Sequence, residues 1–196
     1  MRVFLAVPAD AAWVESASKL TALLRGTLPP AAWTRPGSWH LTLQFLGEIP
    51  EEAADRFAAA IGERMALAAE GELLPGGAIL LPGLRRPRVL GAGFSPSSSA
   101  LPGLSGLARA AEDAAERLGV PVTGRAFRPH VTLARVRETW PAEAVESFRR
   151  RTDSWEFPGW PVRSCVLYRS QLRSSGALHT PLREWTFASP ALPVRA

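Results

Sequence analysis

His40-Leu41-Thr42-Leu43 in the first half of the chain and His130-Val131-Thr132-Leu133 in the second are two copies of one pattern, H-x-T-L. The 196 residues include only three histidines. Two of the three would acquire Thr at +2 and Leu at +3 by accident with a probability on the order of one in ten thousand, so the repeat is a motif pair. In a strand, residues i and i+2 face the same side. Each His therefore projects together with its Thr, while Leu41 and Leu43, or Val131 and Leu133, turn to the core. Each copy presents an imidazole beside a hydroxyl on a rigid element.

Parity extends the reading along both strands. Gln44 shares a face with His40 and Thr42, and Arg128 precedes His130 by two, so both are placed to reach a cleft. Arg128 is the stronger candidate, because a guanidinium pairs with phosphate; the plainer reading is a solvated loop residue cut off by Pro129. Phe45 and Arg135 fall on the other parity, which predicts core packing for the first and a structural role for the second. His179, in Leu178-His179-Thr180-Pro181, has Thr at +1 and reads as a loop or strand-edge histidine. Tyr168 reads as strand packing.

The elements around the motifs alternate irregularly. Arg2–Val7 reads as a strand and Ala11–Arg25 as a helix with Asp10 as its N-cap. His40–Leu46 alternates like a strand, and Pro50-Glu51-Glu52 opens a helix running to about Ala69. Leu74–Leu81 and Arg88–Phe94 are two strands. The helix Leu101–Leu118 is stopped by Gly119 and Pro121. Val131–Val136 is a strand, Pro141–Arg150 a short helix, and Val162–Tyr168 and Leu182–Phe187 are closing strands. Mixed order without βαβα alternation predicts α+β: a pseudo-duplicated, two-lobed single domain over residues 1–196, with antiparallel sheets flanking a central cleft. The helices Pro50–Ala69 and Leu101–Leu118 are expected to cover one sheet face each.

Composition sets the outer bounds. Hydrophobic residues make up 46% and charged residues 21%, which excludes a disordered chain. The single cysteine, Cys165, rules out an intramolecular disulfide and a cysteine-rich metal cluster. The apolar run after Met1 stops at Pro8, and no stretch approaches the ~20 residues that span a bilayer, so a soluble, cytoplasmic protein is expected. Net charge is +5, and with Lys19 the sole lysine, 22 of the 23 basic residues are arginine. Charge alone speaks no more for nucleic acid than for a solvated basic surface. No Gly-rich phosphate loop is present.

A histidine pair suits chemistry in which one imidazole takes a proton from water while the other protonates a leaving oxygen near neutral pH. Threonine hydroxyls can donate to the non-bridging oxygens of a phosphate. The scheme needs neither metal nor cofactor, and a metal site would need three or more ligands at fixed spacing. A lone strand histidine is usually structural; the identical companions reverse that for His40 and His130. The alternatives are a binding module that keeps the cleft without turnover, and a basic α+β scaffold with a coincidental repeat.

The double motif, with Gln44-Phe45-Leu46-Gly47 after the first copy and Phe127-Arg128-Pro129 before the second, resembles the 2H phosphoesterase superfamily. Within it the chain is similar to the RNA 2′,3′-cyclic phosphodiesterases, also called 2′-5′ RNA ligases. Arg2-Val3-Phe4-Leu5-Ala6-Val7, Val166-Leu167-Tyr168-Arg169-Ser170 and Leu182-Arg183-Glu184-Trp185 fit as well, so the likeness spans nearly the whole chain. The resemblance implies a two-lobed fold and metal-independent opening of a 2′,3′-cyclic phosphate to a 2′-phosphomonoester, reversible as 2′-5′ ligation. It further implies His40 as proton donor to the departing 3′ oxygen, His130 as base toward water, and Thr42 and Thr132 as phosphate contacts. The partners are then RNA or nucleotides with cyclic phosphate ends; separately, a monomer with no obligate protein partner is expected. Near His179 the family more often carries an aromatic residue, which makes this position a departure.

Overall fold

The computed structural model describes residues 1–122, 124, 126–173 and 176–189. The chain runs β1 (Arg2–Pro8), α1 (Ala11–Arg25), β2 (Ala32–Trp33), a 3-10 turn (Pro36–Ser38), β3 (His40–Glu48), α2 (Glu51–Ala66) and β4 (Gly71–Leu73). It continues with β5 (Pro75–Leu81), β6 (Val89–Phe94), α3 (Leu101–Arg117), β7 (His130–Arg135), α4 (Ala142–Asp153), β8 (Trp160–Val162), β9 (Ser164–Arg173) and β10 (Gly176–Thr186). The α+β class and the element order agree with the sequence reading. Asp10 caps α1 as expected, its Oδ1 accepting from the Ala12 and Trp13 backbone N–H groups at 2.9 and 3.4 Å. Gly119, just past α3, adopts φ +70°, the left-handed turn that ends a helix.

One antiparallel sheet runs in the order β10-β9-β1-β3-β7-β6-β5, with β2 also on β7, and β4 pairs with β8 in a second small sheet. The two halves of the large sheet meet at β3 and β7, where the register is the single pair Leu41↔Val131. Both motif strands therefore lie at the seam, side by side and antiparallel. Extended by one residue in each direction, that register sets His40 across from Thr132 and Thr42 across from His130.

The helices lie where the sequence reading does not place them. α2 and α3 do not cover one sheet face each: they pack side by side on the β10-β9-β1-β3 half, α3 against β3 and α2 against β10. α4 lies against β5 on the other half, and the Trp155 Nε1–H that follows it donates to Ser16 Oγ of α1 at 3.0 Å. The reason is the chain's return: β9 and β10, at the C-terminal end, complete the half that β1 and β3 began. The β10-β9-β1-β3 half thus draws on both ends of the sequence, and the β7-β6-β5 half on its middle. Beneath α1 an aromatic core collects Trp13, which stacks on Phe157 at 5.1 Å and touches Trp160 and Trp39. Trp13 and Trp160 are fully buried, and rings of this size contribute much of the apolar area that holds the halves together.

Candidate active site

β3 and β7 depart from regular pairing at the same place in their motifs. On β3, Ala6 pairs with Thr42 but Leu5 with Gln44, leaving Leu43 as an extra residue. On β7, Gly91 pairs with Thr132 but Leu90 with Ala134, leaving Leu133 extra. The last residue of each H-x-T-L is thus a β-bulge, which reverses the parity of the residues after it, on β3 as far as a second irregularity at Leu46. Leu43 and Leu133 remain buried, anchoring each bulge in the core.

The reversal corrects two assignments. Phe45 pairs with Phe4, on the row that also holds Ala6↔Thr42 and Pro8↔His40, and it is 52% exposed rather than packed in the core. Arg135 pairs with Val89, on the row of Gly91↔Thr132 and Gly93↔His130, and is exposed on the histidine face rather than structural. Each lies five residues after its histidine. Gln44 is carried the other way, opposite Leu5 of the core. No simple alternation could show this, because the bulge is a property of the pairing and not of the strand's own sequence.

The histidines are held alike. His40 Nδ1 lies 2.7 Å from the Ser38 carbonyl oxygen, and His130 Nδ1 lies 2.7 Å from that of Arg128. A carbonyl only accepts, so Nδ1 carries the proton in both rings and Nε2 is left to exchange protons with a substrate. The Arg128 contribution visible here is its backbone carbonyl; its side chain is exposed. Thr42 and Thr132 are half-buried on the same face. The four motif groups, His40, Thr42, His130 and Thr132, are therefore brought together at the seam.

The surroundings of the two rings differ. The strand beneath His130 offers glycine: a Cβ built on Gly91 would come 3.4 Å from its Cδ2 and only 2.6 Å from the Val131 carbonyl oxygen. His40 sits instead in an aromatic nest, its ring 4.7 Å from Phe4 and 5.3 Å from His179. Phe4 is 3% exposed although it lies on the site face, because His40, Phe45, Tyr168 and His179 cover it. His179 stands on the edge strand β10, as the strand-edge reading has it, but its ring packs against His40, a contact which that reading did not expect. Pro181 makes that stretch read as a break. β10 is an edge strand, where a residue without an N–H costs no ladder bond, and the strand runs through it.

Burial lowers the pKa of His40 to about 4, opposed by the Ser38 carbonyl bond, with smaller lowering from His179, Arg135 and His130. Burial also lowers His130, again opposed by its carbonyl bond and reinforced by Arg135. Arg135 thus acts electrostatically on both rings, which places its charge near the seam. Both shifts have a consequence for stability. The unfolded chain takes up protons on these histidines first, so their contribution is present above the ordinary value of 6.5 and is lost as the pH falls below it, for His40 down to about 4. For His40 the loss is on the order of 3 kcal/mol. Urea denaturation is expected to show the wild-type midpoint falling over this window, and His40→Gln falling less steeply. Parallel curves for the two proteins would contradict the burial of His40.

Among the described residues, no three His, Cys, Asp or Glu side chains are grouped to hold a metal ion, and no helix is long and apolar enough to cross a membrane.

The sequence model of the LigT-like phosphoesterases matches residues 12–90 and 94–179. An RNA 2′,3′-cyclic phosphodiesterase of Thermus thermophilus is 32% identical over 187 residues, 94% of this chain and 87% of the relative. Another protein of that name, from Aquifex aeolicus, is 29% identical over 153 residues, 78% of this chain and 80% of its own. The crystal structure of a Thermus thermophilus protein superposes with a TM-score of 0.79 at 26% identity, covering 96% of this chain and 99% of that one.

Proposed function

The chain belongs to the LigT-like phosphoesterase family, a family of phosphoesterases with cyclic phosphodiesterases among its members, and from that premise we propose that it hydrolyses 2′,3′-cyclic phosphate ends of RNA to 2′-phosphomonoesters. The observation that carries the reading is the matched pair of imidazoles at the seam, each with Nδ1 tied to a carbonyl and Nε2 without a hydrogen bond among the described residues. Water attacks phosphorus as the P–O3′ bond breaks. His130 Nε2 takes the water proton, and His40 Nε2, protonated, gives its proton to O3′. Each turnover leaves His40 neutral and His130 charged, and exchange with solvent resets the pair. With a 5′ hydroxyl in place of water, the same groups keep these roles and make a 2′-5′ linkage; in the reverse reaction, where O3′ attacks and the 5′ oxygen leaves, they exchange them.

Thr42 and Thr132 donate to the non-bridging oxygens, and Arg135 or Arg128 balances their negative charge. The substrate's own charge completes the tuning. A phosphate anion between the rings favours their protonated forms, so the buried His40 regains its proton when substrate binds. We place this chemistry in the cytoplasm, in a monomeric protein forming one domain over residues 1–196.

The test is incubation with 2′,3′-cyclic nucleotides and short RNAs ending in a cyclic phosphate, with EDTA present, followed by identification of the monoester. Turnover to the 2′-phosphate in EDTA is expected. The alkaline limb of kcat, set by the acid, should lie at higher pH than that of kcat/KM, because bound phosphate raises the acid's pKa. Binding without turnover between pH 5 and 9 would favour a non-catalytic RNA-end module; a 3′-phosphate product would overturn the assigned leaving group.

A further inference from the structure

We infer that His179 is a positioning residue for His40: a third imidazole that wedges the His40 ring against Phe4 and holds its Nε2 toward the cleft. The inference rests on the cyclic phosphodiesterase reading for its kinetics, and on geometry for the rest. The His179 ring stands at 90° to His40 at 5.3 Å and at 80° to Phe4 at 4.9 Å, while Phe4 and His40 lie 4.7 Å apart and only 31° from parallel. One ring edge thus closes the side of a two-ring stack. With Nδ1 bonded to the Ser38 carbonyl, His40 is restrained at one edge and on two sides. His130 has the carbonyl bond but glycine strand beneath it, so this wedge is where the two halves of the pseudo-repeat part company.

The wedge can work only if it does not compete for protons. His179 Nδ1 is shut off from solvent and meets no hydrogen-bond partner among the described residues. A proton there would be a buried donor with nothing to accept it, whereas a lone pair there is a lesser loss. The neutral ring with its proton on Nε2 is therefore favoured, the opposite tautomer to that of His40 and His130. Burial lowers the His179 pKa in the same sense. The titratable and charged groups around His40 are then His179 from β10, Tyr168 from β9, which shares the Phe4 platform, and His130 and Arg135 from β7. Of these, His179 is the one pressed edge-on against the ring.

The experiment compares His179→Ala, His179→Phe and His179→Gln with wild type. The readouts are steady-state kinetics on a 2′,3′-cyclic nucleotide and an NMR titration of the His40 imidazole. A ring wedge predicts that Ala lowers kcat about tenfold with KM little changed, because a loosened acid spends less time aligned. Phe, which keeps the ring and has no proton to exchange, should restore most of the loss, and Gln should not. The His40 titration should move up toward the ordinary value in Ala, where water enters, and stay low in Phe.

If Gln rescues and Phe does not, or if Ala raises KM at constant kcat, His179 is a substrate contact and the inference is wrong. Unchanged kinetics in Ala would also overturn it. Should Ala fail to fold, the contrast between Phe and Gln decides alone. If wild type turns over no cyclic phosphate, the functional reading fails, and the NMR shift still judges the wedge.

Discussion

His130→Ala is expected to lower kcat for a 2′,3′-cyclic nucleotide by about 10³-fold and His40→Ala by a similar factor, within the 10²- to 10⁴-fold that general acid–base groups contribute. The residual activities should then depend on pH in opposite directions. If His130 is the base, its loss removes the acid limb of the bell, and what remains falls as the pH rises and His40 loses its proton. If His40 is the acid, its loss removes the alkaline limb, and the remaining rate climbs as His130 becomes neutral. Exchanged limbs would keep the pair and reverse the roles. An intact rate in either variant would remove that histidine from the mechanism. The wild-type geometry is even-handed, since both rings hold Nδ1 against a carbonyl at 2.7 Å. The assignment of roles therefore depends on this experiment and on the family resemblance. Burial of the donor accords with it: His40 is held near 4 in the free protein. Such a ring gives up its proton readily once the phosphate that stabilised the charge has begun to change hands.

The seam is legible in the sequence because a repeated H-x-T-L depends only on local alternation, and alternation is what a strand enforces. Asp10 as a cap, Gly119 as a stop and the strand starting at His40 are local signals of the same kind, and the structure agrees with each. What is not legible depends on partners. Leu43 and Leu133 look like ordinary inward residues until β1 and β6 are laid beside them, and only then does each prove to be supernumerary. Alternation consequently puts the residues just beyond each bulge, Phe45 and Arg135 among them, on the wrong face. The two errors at Phe45 and Arg135 are one error made twice. The available signal is the repeat itself: a departure at one motif carries to the other, five residues after each histidine.

His179 is hidden for a different reason. Its neighbours in the site, Phe4 and His40, come from the far end of the chain, and Pro181 breaks the strand pattern that would bring it there. The expectation that α2 and α3 cover one sheet face each fails in the same way. A chain that closes its first half with its last two strands hides which elements share a layer. Local chemistry is readable, and long-range assembly is not.

Arg135→Ala should therefore cost far more than Arg128→Ala, although strand parity alone favours Arg128. Arg135 lies on the His130 and Thr132 row and its charge reaches both imidazoles. A guanidinium so placed stabilises charge developing on the phosphate, an interaction worth about 10²- to 10³-fold in kcat when removed. Its removal should also move both limbs of the pH profile upward, because a positive charge that disfavours protonated histidine is gone. Arg135→Lys should recover the pH profile, which needs only charge, but only part of the rate, since an ammonium cannot bridge two phosphate oxygens. Arg128→Ala keeps the carbonyl that orients His130, so a change of a few-fold at most is expected, with both limbs in place. Should Arg128→Ala instead lose the larger factor, its exposed side chain must fold over the substrate. The bulge at Leu133 would then have no bearing on which arginine meets the phosphate.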